Sequence, residues 1–142
     1  MGTRKEHDFI GELEISDDVY YGVKTFRAVE NFNISHDRLK NFPRFVRALA
    51  RVKKAAAMAN CELGLLDKEK EGAIIAACDK ILAGGYYDQF VVDMIQGGAG
   101  TSTNMNANEV IANLALEYLG HKKGEYQFLH PNDHVNLSQS TN

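Results

Sequence analysis

The chain has 142 residues, the length of one ordinary domain. It is 44% hydrophobic and 25% charged, the composition of a globular protein that can bury a core. Its net charge of -3, with both signs mixed along the sequence, argues against the basic stripe of a nucleic-acid binder. No apolar run approaches a membrane span, and the charged opening MGTRKEHDFIGE lacks the apolar stretch of a secretory signal, so the expected compartment is the cytoplasm.

From Phe9 to Ile15, the residues Leu13 and Ile15 alternate with Glu12 and Glu14, which predicts one brief strand. Ser16-Asp17-Asp18 reads as a turn, and a short helix is expected from Val23 to Asn31. Residues 32–42 read as a loop. Pro43 suits the first turn of a helix. After it Phe45, Val46, Leu49, Val52, Lys53, Ala56, Ala59 and Leu63 recur at three- and four-residue steps, and Gly64 closes the helix. The basic residues from Arg44 to Lys54 alternate with apolar ones and read as a solvated helix face. Asp67 is placed to cap the next helix, whose buried side is predicted as Ile74, Ile75, Cys78, Ile81 and Leu82, with Gly84-Gly85 as its stop. Residues 86–95 show no period. A last helix is predicted from Thr103 to Leu119, with Val110, Ile111, Leu114, Ala115 and Tyr118 inward and Gly120 at its end. The segment from Tyr126 to Asn136 is irregular and polar and contains Pro131. The fold class is mainly α, with a short β element.

The stretch from Gly97 to Val110 reads GGAGTSTNMNANEV. Glycines let the backbone approach a ligand closely. The first N–H groups of a helix have no internal partner and carry partial positive charge. With the hydroxyls of Thr101, Ser102 and Thr103 and the amides of Asn104 and Asn106, the array suits a carboxylate. An ordinary Gly-rich helix cap explains the same residues, and the local chemistry leaves both readings open. It is neither a dinucleotide fingerprint nor a phosphate loop, because no Lys follows the last Gly.

The segment His130-Pro131-Asn132-Asp133-His134-Val135-Asn136, followed by Ser138-Gln139-Ser140-Thr141-Asn142, repeats that chemistry at another apparent helix start. Two such cradles can grip the two ends of a dicarboxylate; a plain capping sequence is the alternative. His130 and His134 have a spacing that suits a metal on a helix, but Pro131 between them and the lack of a third ligand argue against one. His7, His36 and His121 read as surface residues. Cys61 and Cys78 lie in apolar helical patterns and read as free buried thiols of a reducing compartment. The polar, cap-like ending suggests a fragment of a longer chain that stops where a helix would begin.

These residues carry a resemblance. Tyr20-Tyr21-Gly22-Val23-Lys24-Thr25-Phe26-Arg27-Ala28, Val52-Lys53-Lys54-Ala55-Ala56-Ala57-Met58-Ala59-Asn60, Gln96 to Ser102, Asn104-Met105-Asn106, Asn108-Glu109-Val110, Pro131 to Asn136 and Ser138 to Asn142 occur in the order seen in the aspartase/fumarase superfamily. The sequence resembles the N-terminal domain of that family over essentially its whole length. The resemblance implies a lyase that reversibly removes ammonia from L-aspartate to give fumarate, with no organic cofactor. It implies that Thr101, Ser140 and Thr141 bind the β-carboxylate, and that Asn142, with Thr101, contacts the amino group. It further implies a homotetramer whose site is shared among subunits.

The family's base, a serine on a mobile loop, belongs to a downstream helical domain outside this sequence, as do the groups for the α-carboxylate. No catalytic residue is therefore expected within residues 1–142, and this stretch alone is expected to be inactive. The nearest alternative is the class II fumarase branch, which eliminates water; there His130, Asn132 and Asp133 belong to a second, non-catalytic dicarboxylate site. The Gly97 to Ser102 form and the Ser140-Thr141 pair lean toward the ammonia-eliminating branch. A different class of reading is a domain kept only for binding or assembly.

Overall fold

The computed structural model describes residues 2–140. Its first element is a hairpin that the sequence discloses only in half. Strand β1 (Thr3–His7) pairs antiparallel with β2 (Glu12–Ser16), placing Thr3 opposite Ser16 and Glu6 opposite Leu13. The expected strand over residues 9–15 is thus shifted to β2, where Ile15 is buried. Strand β1 was not foreseen because TRKEH shows no apolar alternation; its inward residue is charged, Glu6 at 3% exposure. Phe9 and Ile10 fall in the turn between the strands and are exposed. Asp8 Oδ1 fixes that turn by accepting from the Ile10 and Gly11 N–H groups.

Helix α1 (Val23–Asn31) has the expected limits. Helix α2 (Pro43–Glu62) starts on its proline and α3 (Lys68–Leu82) on Asp67, whose Oδ1 accepts from Lys70 N at 2.8 Å. Helix α4 spans Thr101–Tyr118. Helices α2, α3 and α4 end alike. Gly64, Gly84 and Gly120 take positive φ, and the two N–H groups past each helix end return to its last turn. For α2 these are Gly64 N to Cys61 O and Leu65 N to Asn60 O. Otherwise-orphaned carbonyls are satisfied in this way. The loop 32–42 contains a short 3-10 turn at Leu39–Asn41, and residues 86–95 contain another at Tyr87–Gln89. Pro131–Val135 forms one turn of π-helix where irregular chain was expected.

Helix α3 packs against both α2 and α4. Of its predicted inner face, Ile74, Cys78 and Ile81 are buried, while Ile75 and Leu82 are only half-buried; Ala73 and Ala77 complete the face. In α2 the periodic set holds only in part, at Val46 and Lys53. Val46, Ala50, Lys53, Ala57 and Asn60 are buried, whereas Phe45, Val52 and Leu63 are exposed. The solvated basic face holds for Arg44, Arg47 and Arg51 but not for Lys53.

Helix α4 is the centre of the domain. Every residue from Met105 to Leu116 is buried, so the expected inward residues Val110, Ile111, Leu114 and Ala115 are buried together with all their neighbours, whereas Tyr118 is exposed rather than inward. Fully burying a Leu or Ile side chain contributes about 1.5–3 kcal/mol, and Ile111, Leu114 and Leu116 all reach that limit. The same burial forces Asn106, Asn108, Glu109 and Asn113 into the interior. Asn106 answers by accepting from Val91 N (2.9 Å) and donating to Gln89 O (2.9 Å), and Asn113 by donating to Tyr20 O (2.7 Å) and accepting from Gly124 N (2.8 Å). Cys78 is buried as expected, but Cys61 is only partly so. His7 and His36 are exposed, while His121 is half-buried and stacks on Phe128 at 3.9 Å between ring centres. Among the described residues no helix is long and apolar enough to cross a membrane.

Candidate functional site

The Gly-rich loop delivers the chain to α4 with a sharp reversal. Gly100 sits at the N-cap with φ of 91°, a left-handed conformation that disfavours a side chain. The helix therefore begins at Thr101, two residues before the predicted start. Gly100 brings no capping side chain, and Gln96 supplies one from outside the helix. Its Oε1 accepts from Thr103 N (2.8 Å), and its Nε2 donates to Thr103 Oγ1 and Asp93 O, both at 2.9 Å. Thr103 is thus engaged by the Gln96 cap through both its N–H and its hydroxyl. Thr101 and Ser102, one and two positions earlier, are half-buried in the first turn. A cleft of about 380 Å³ beside this turn is lined by Phe45, Leu49, Gln96, Gly98, Thr103 and Asn104, among others.

One turn into α4, Asn104 joins this helix start to the C-terminal segment. Its Nδ2 donates to Asn136 Oδ1 (3.1 Å) and to Ser140 O (3.2 Å). Asn136 Nδ2 is also within reach of Gln139 O (3.3 Å) and Ser140 O (3.4 Å). The two donor-rich stretches, separated by some forty positions, therefore lie side by side. Of the four predicted substrate contacts, Thr101 and Ser140 are on these adjoining stretches; Thr141 and Asn142 lie outside the described residues.

Beneath this junction is Lys53, which the sequence reading did not assign to any site. Its Nζ donates to Asn104 Oδ1 (2.7 Å), Asn136 Oδ1 (2.8 Å) and Gln139 Oε1 (3.0 Å). The residue is 3% exposed. Burial disfavours the charged amine and lowers its pKa to about 8. A signal was available: Lys53 falls on the apolar steps of α2, where a solvated lysine has no place.

The second predicted cluster is built differently from a ligand cage. His130 Nδ1 accepts from Asn132 N (3.1 Å) and Asp133 N (3.3 Å), and His134 Nδ1 accepts from His130 N (2.7 Å). Both imidazoles spend these nitrogens as acceptors for backbone, as caps of the π turn. Burial lowers the pKa of each, favouring the neutral ring that this role needs. Asp133 is exposed, its carboxylate 3.6 Å from His130 Nδ1. His130, Asp133 and His134 border a cleft of about 400 Å³ with Lys5 and His7, whereas Asn132 Oδ1 is buried with no partner among the described residues. No three His, Cys, Asp or Glu side chains are grouped to hold a metal among the described residues.

The chain is a helical domain whose central helix opens on a donor-rich loop. Residues 11–142 match the family described as Lyase, and the chain belongs to that family, within the aspartase/fumarase superfamily. It is 68% identical over 139 residues to the aspartate ammonia-lyase of Helicobacter pylori, covering 98% of this chain and 30% of that protein. The aspartate ammonia-lyase of Escherichia coli is 59% identical over 140 residues, covering 98% and 29%. Among solved structures, the fumarate lyase:delta crystallin of Brucella melitensis superposes with a TM-score of 0.96 at 60% identity, over 98% of this chain and 31% of that one. The class II fumarase of Schistosoma mansoni superposes with a TM-score of 0.91 at 36% identity, over 99% and 29%. The chain thus spans about 30% of the length of the curated relatives it matches.

Proposed function

We propose that these residues form the β-carboxylate-binding part of an aspartate ammonia-lyase, which reversibly converts L-aspartate to fumarate and ammonia. The observation that carries this reading is the Asn104 bridge, which sets Ser140 against the first turn of α4. Removal of the C3 proton of aspartate pushes charge onto the β-carboxylate and makes a dianionic aci-carboxylate. Donors fixed in place before that charge develops stabilise it more than they stabilise the substrate. In this reading the Thr101 hydroxyl, the first N–H groups of α4, and Ser140 and Thr141 supply those donors, with Asn142 on the amino group. Each such donor is worth about 3 kcal/mol in a site closed to water. No organic cofactor enters the scheme. The base and the α-carboxylate contacts come from the rest of a longer protein, assembled as a tetramer in the cytoplasm, and residues 1–142 alone are inactive.

Similarity to a class II fumarase supports a second reading, elimination of water from L-malate, with His130, Asn132 and Asp133 as an accessory dicarboxylate site. One assay separates the two. A full-length chain carrying these residues is given L-aspartate or L-malate, and fumarate is followed by its ultraviolet absorbance. Fumarate from aspartate supports the first reading; fumarate from malate alone replaces it with the second; fumarate from neither leaves a binding or assembly domain.

A further inference from the structure

The environment of Lys53 is unusual for a buried lysine. Its ammonium group has three oxygens around it, one from each of Asn104, Asn136 and Gln139, and all three are neutral amides. Among the described residues no Asp or Glu forms an ion pair with it. From α3 the Cys78 thiol faces it, held protonated because burial pushes its pKa up to about 12. The neighbouring Lys54 turns away to Asp79 at 2.7 Å. A buried cation without a counter-charge is costly, and native proteins keep one only where something compensates.

The amides that hold Lys53 are those that join the two donor-rich stretches. Asn104 reaches Ser140 O, and Asn136 and Gln139 lie within four positions of Ser140 on the same segment. Asn60, two turns along α2 from Lys53, adds a tie to Leu137 O at 2.9 Å. One ammonium thus draws side-chain oxygens of α4 and of the 136–139 segment onto α2. Polarising the Asn104 and Asn136 amides toward Lys53 also leaves their N–H ends more positive, and these two ends point at the Ser140 backbone.

We propose that Lys53 is a positioning residue that clamps the start of α4 to the 136–140 segment, and that its uncompensated charge is neutralised by the dicarboxylate bound above that clamp. The inference rests on the reading of this junction as a carboxylate site. Lys53 does not touch the substrate; it acts through Asn104 and Asn136. A dianion bound at this junction supplies the negative charge that the fold omits. Without ligand, burial works against the charged amine; with ligand its charged form is favoured.

The test uses a full-length chain carrying these residues, with succinate as a non-reacting dicarboxylate. Calorimetry is run on wild type and on Lys53→Met, which keeps the length and apolar volume of the side chain. Succinate affinity is expected to fall about 30-fold or more in the variant. An affinity within about threefold of wild type overturns the proposal. Because Lys53→Met can fail to fold, the second measurement uses wild type alone. The Lys53 ammonium is titrated by nitrogen-detected NMR with and without saturating succinate. An upward shift of its pKa on binding is expected, and an unchanged value overturns the proposal. L-aspartate turnover is measured separately. Turnover with no effect of Lys53 leaves the ammonia-lyase reading standing and removes this inference. Succinate binding that depends on Lys53, without turnover, does the reverse.

Discussion

Gly22 and Glu109, 87 positions apart, meet in the interior: the Gly22 N–H donates to Glu109 Oε2 at 2.9 Å. Helix α1 has no capping side chain of its own. Glu109, from the buried central helix, takes over that task. It also accepts from Lys24 N on Oε1 and from Thr25 N on Oε2, both at 3.0 Å. Glu6 of β1 accepts from the remaining N–H, that of Val23, at 2.9 Å. Two carboxylates from distant parts of the chain thus satisfy the N–H groups of residues 22–25, where the helix dipole favours negative charge. Glu6 is in turn held by Arg4 Nε (2.8 Å) and by the Tyr126 hydroxyl (3.1 Å). Burial, helped by the charges of Glu6 and Glu109, pushes the Tyr126 pKa far up, so it stays a donor.

This arrangement leaves no room at Gly22. A Cβ there would lie 2.6 Å from Glu6 Oε2, 2.7 Å from Tyr126 Oη and 2.9 Å from Glu109 Cδ. Gly22→Ala is expected to destabilise the fold by about 3 kcal/mol, since overpacking and displaced buried hydrogen bonds add together. Glu109→Gln changes no volume but turns one acceptor into a donor facing backbone N–H groups. Its expected cost is about 2 kcal/mol. Urea unfolding measures both; a loss under about 0.5 kcal/mol for each would mean that α1 is not held this way.

Asp93 predicts how stability depends on pH. Its carboxylate is buried and accepts from Ile34 N (3.0 Å), Ser35 N (2.9 Å), His36 N (3.1 Å), Ile95 N (2.8 Å) and Ser35 Oγ (2.5 Å). Burial alone would raise its pKa. The bonds from Ser35 and from the Ile95, Ile34 and Ser35 amides outweigh that and hold it well below the ordinary 3.8. A carboxyl with a depressed folded-state pKa stabilises the fold fully above its unfolded value. That contribution is lost as pH falls from about 3.8 toward the folded-state pKa. Asp93→Asn is therefore expected to be less stable than wild type at neutral pH and to show a smaller loss between about pH 4 and pH 2. Parallel melting-temperature curves for the two proteins across that range would refute the assignment.

Glu109 and Asp93 also mark the limit of what the sequence discloses. The helices of this domain are legible because their punctuation is local: Pro43 and Asp67 at the starts, Gly64, Gly84 and Gly120 past the ends. The Gly97 to Asn106 stretch stands out for the same reason. What periodicity missed is position in the domain. A helix buried on all sides has no single apolar face, so α4 could not announce that Glu109 and Asn113 point into the interior. Strand β1 was hidden because its inward residue is Glu6, and Lys53 because a basic residue within a basic run reads as solvated. In each case a polar side chain is buried by partners from elsewhere in the chain, and only for Lys53, on the apolar steps of α2, does a local pattern hint at it. The neighbouring placement of Asn104 and Ser140 was suggested by the likeness of their surroundings and by the family resemblance, which puts Thr101 and Ser140 on one carboxylate.

Thr101 gives the sharpest prediction about the reaction. Its half-buried side chain makes no hydrogen bond to another described residue, and the cap of α4 is supplied by Gln96 through Thr103 instead. Removing the Thr101 hydroxyl therefore disturbs nothing that holds the helix. Thr101→Ala is expected to change stability by no more than about 0.5 kcal/mol, as for a substitution away from packed or capping positions. If the hydroxyl is a donor to the developing aci-carboxylate, the same change lowers kcat/KM for L-aspartate about 100-fold in the full-length protein. Loss of a donor used mainly in the transition state appears in kcat, whereas loss of one used equally in the ground state appears in KM. Steady-state kinetics beside a thermal melt therefore reads the role directly. An unaltered melt with kcat/KM within about threefold of wild type would remove Thr101 from the site, and with it the claim that the start of α4 is where the carboxylate binds.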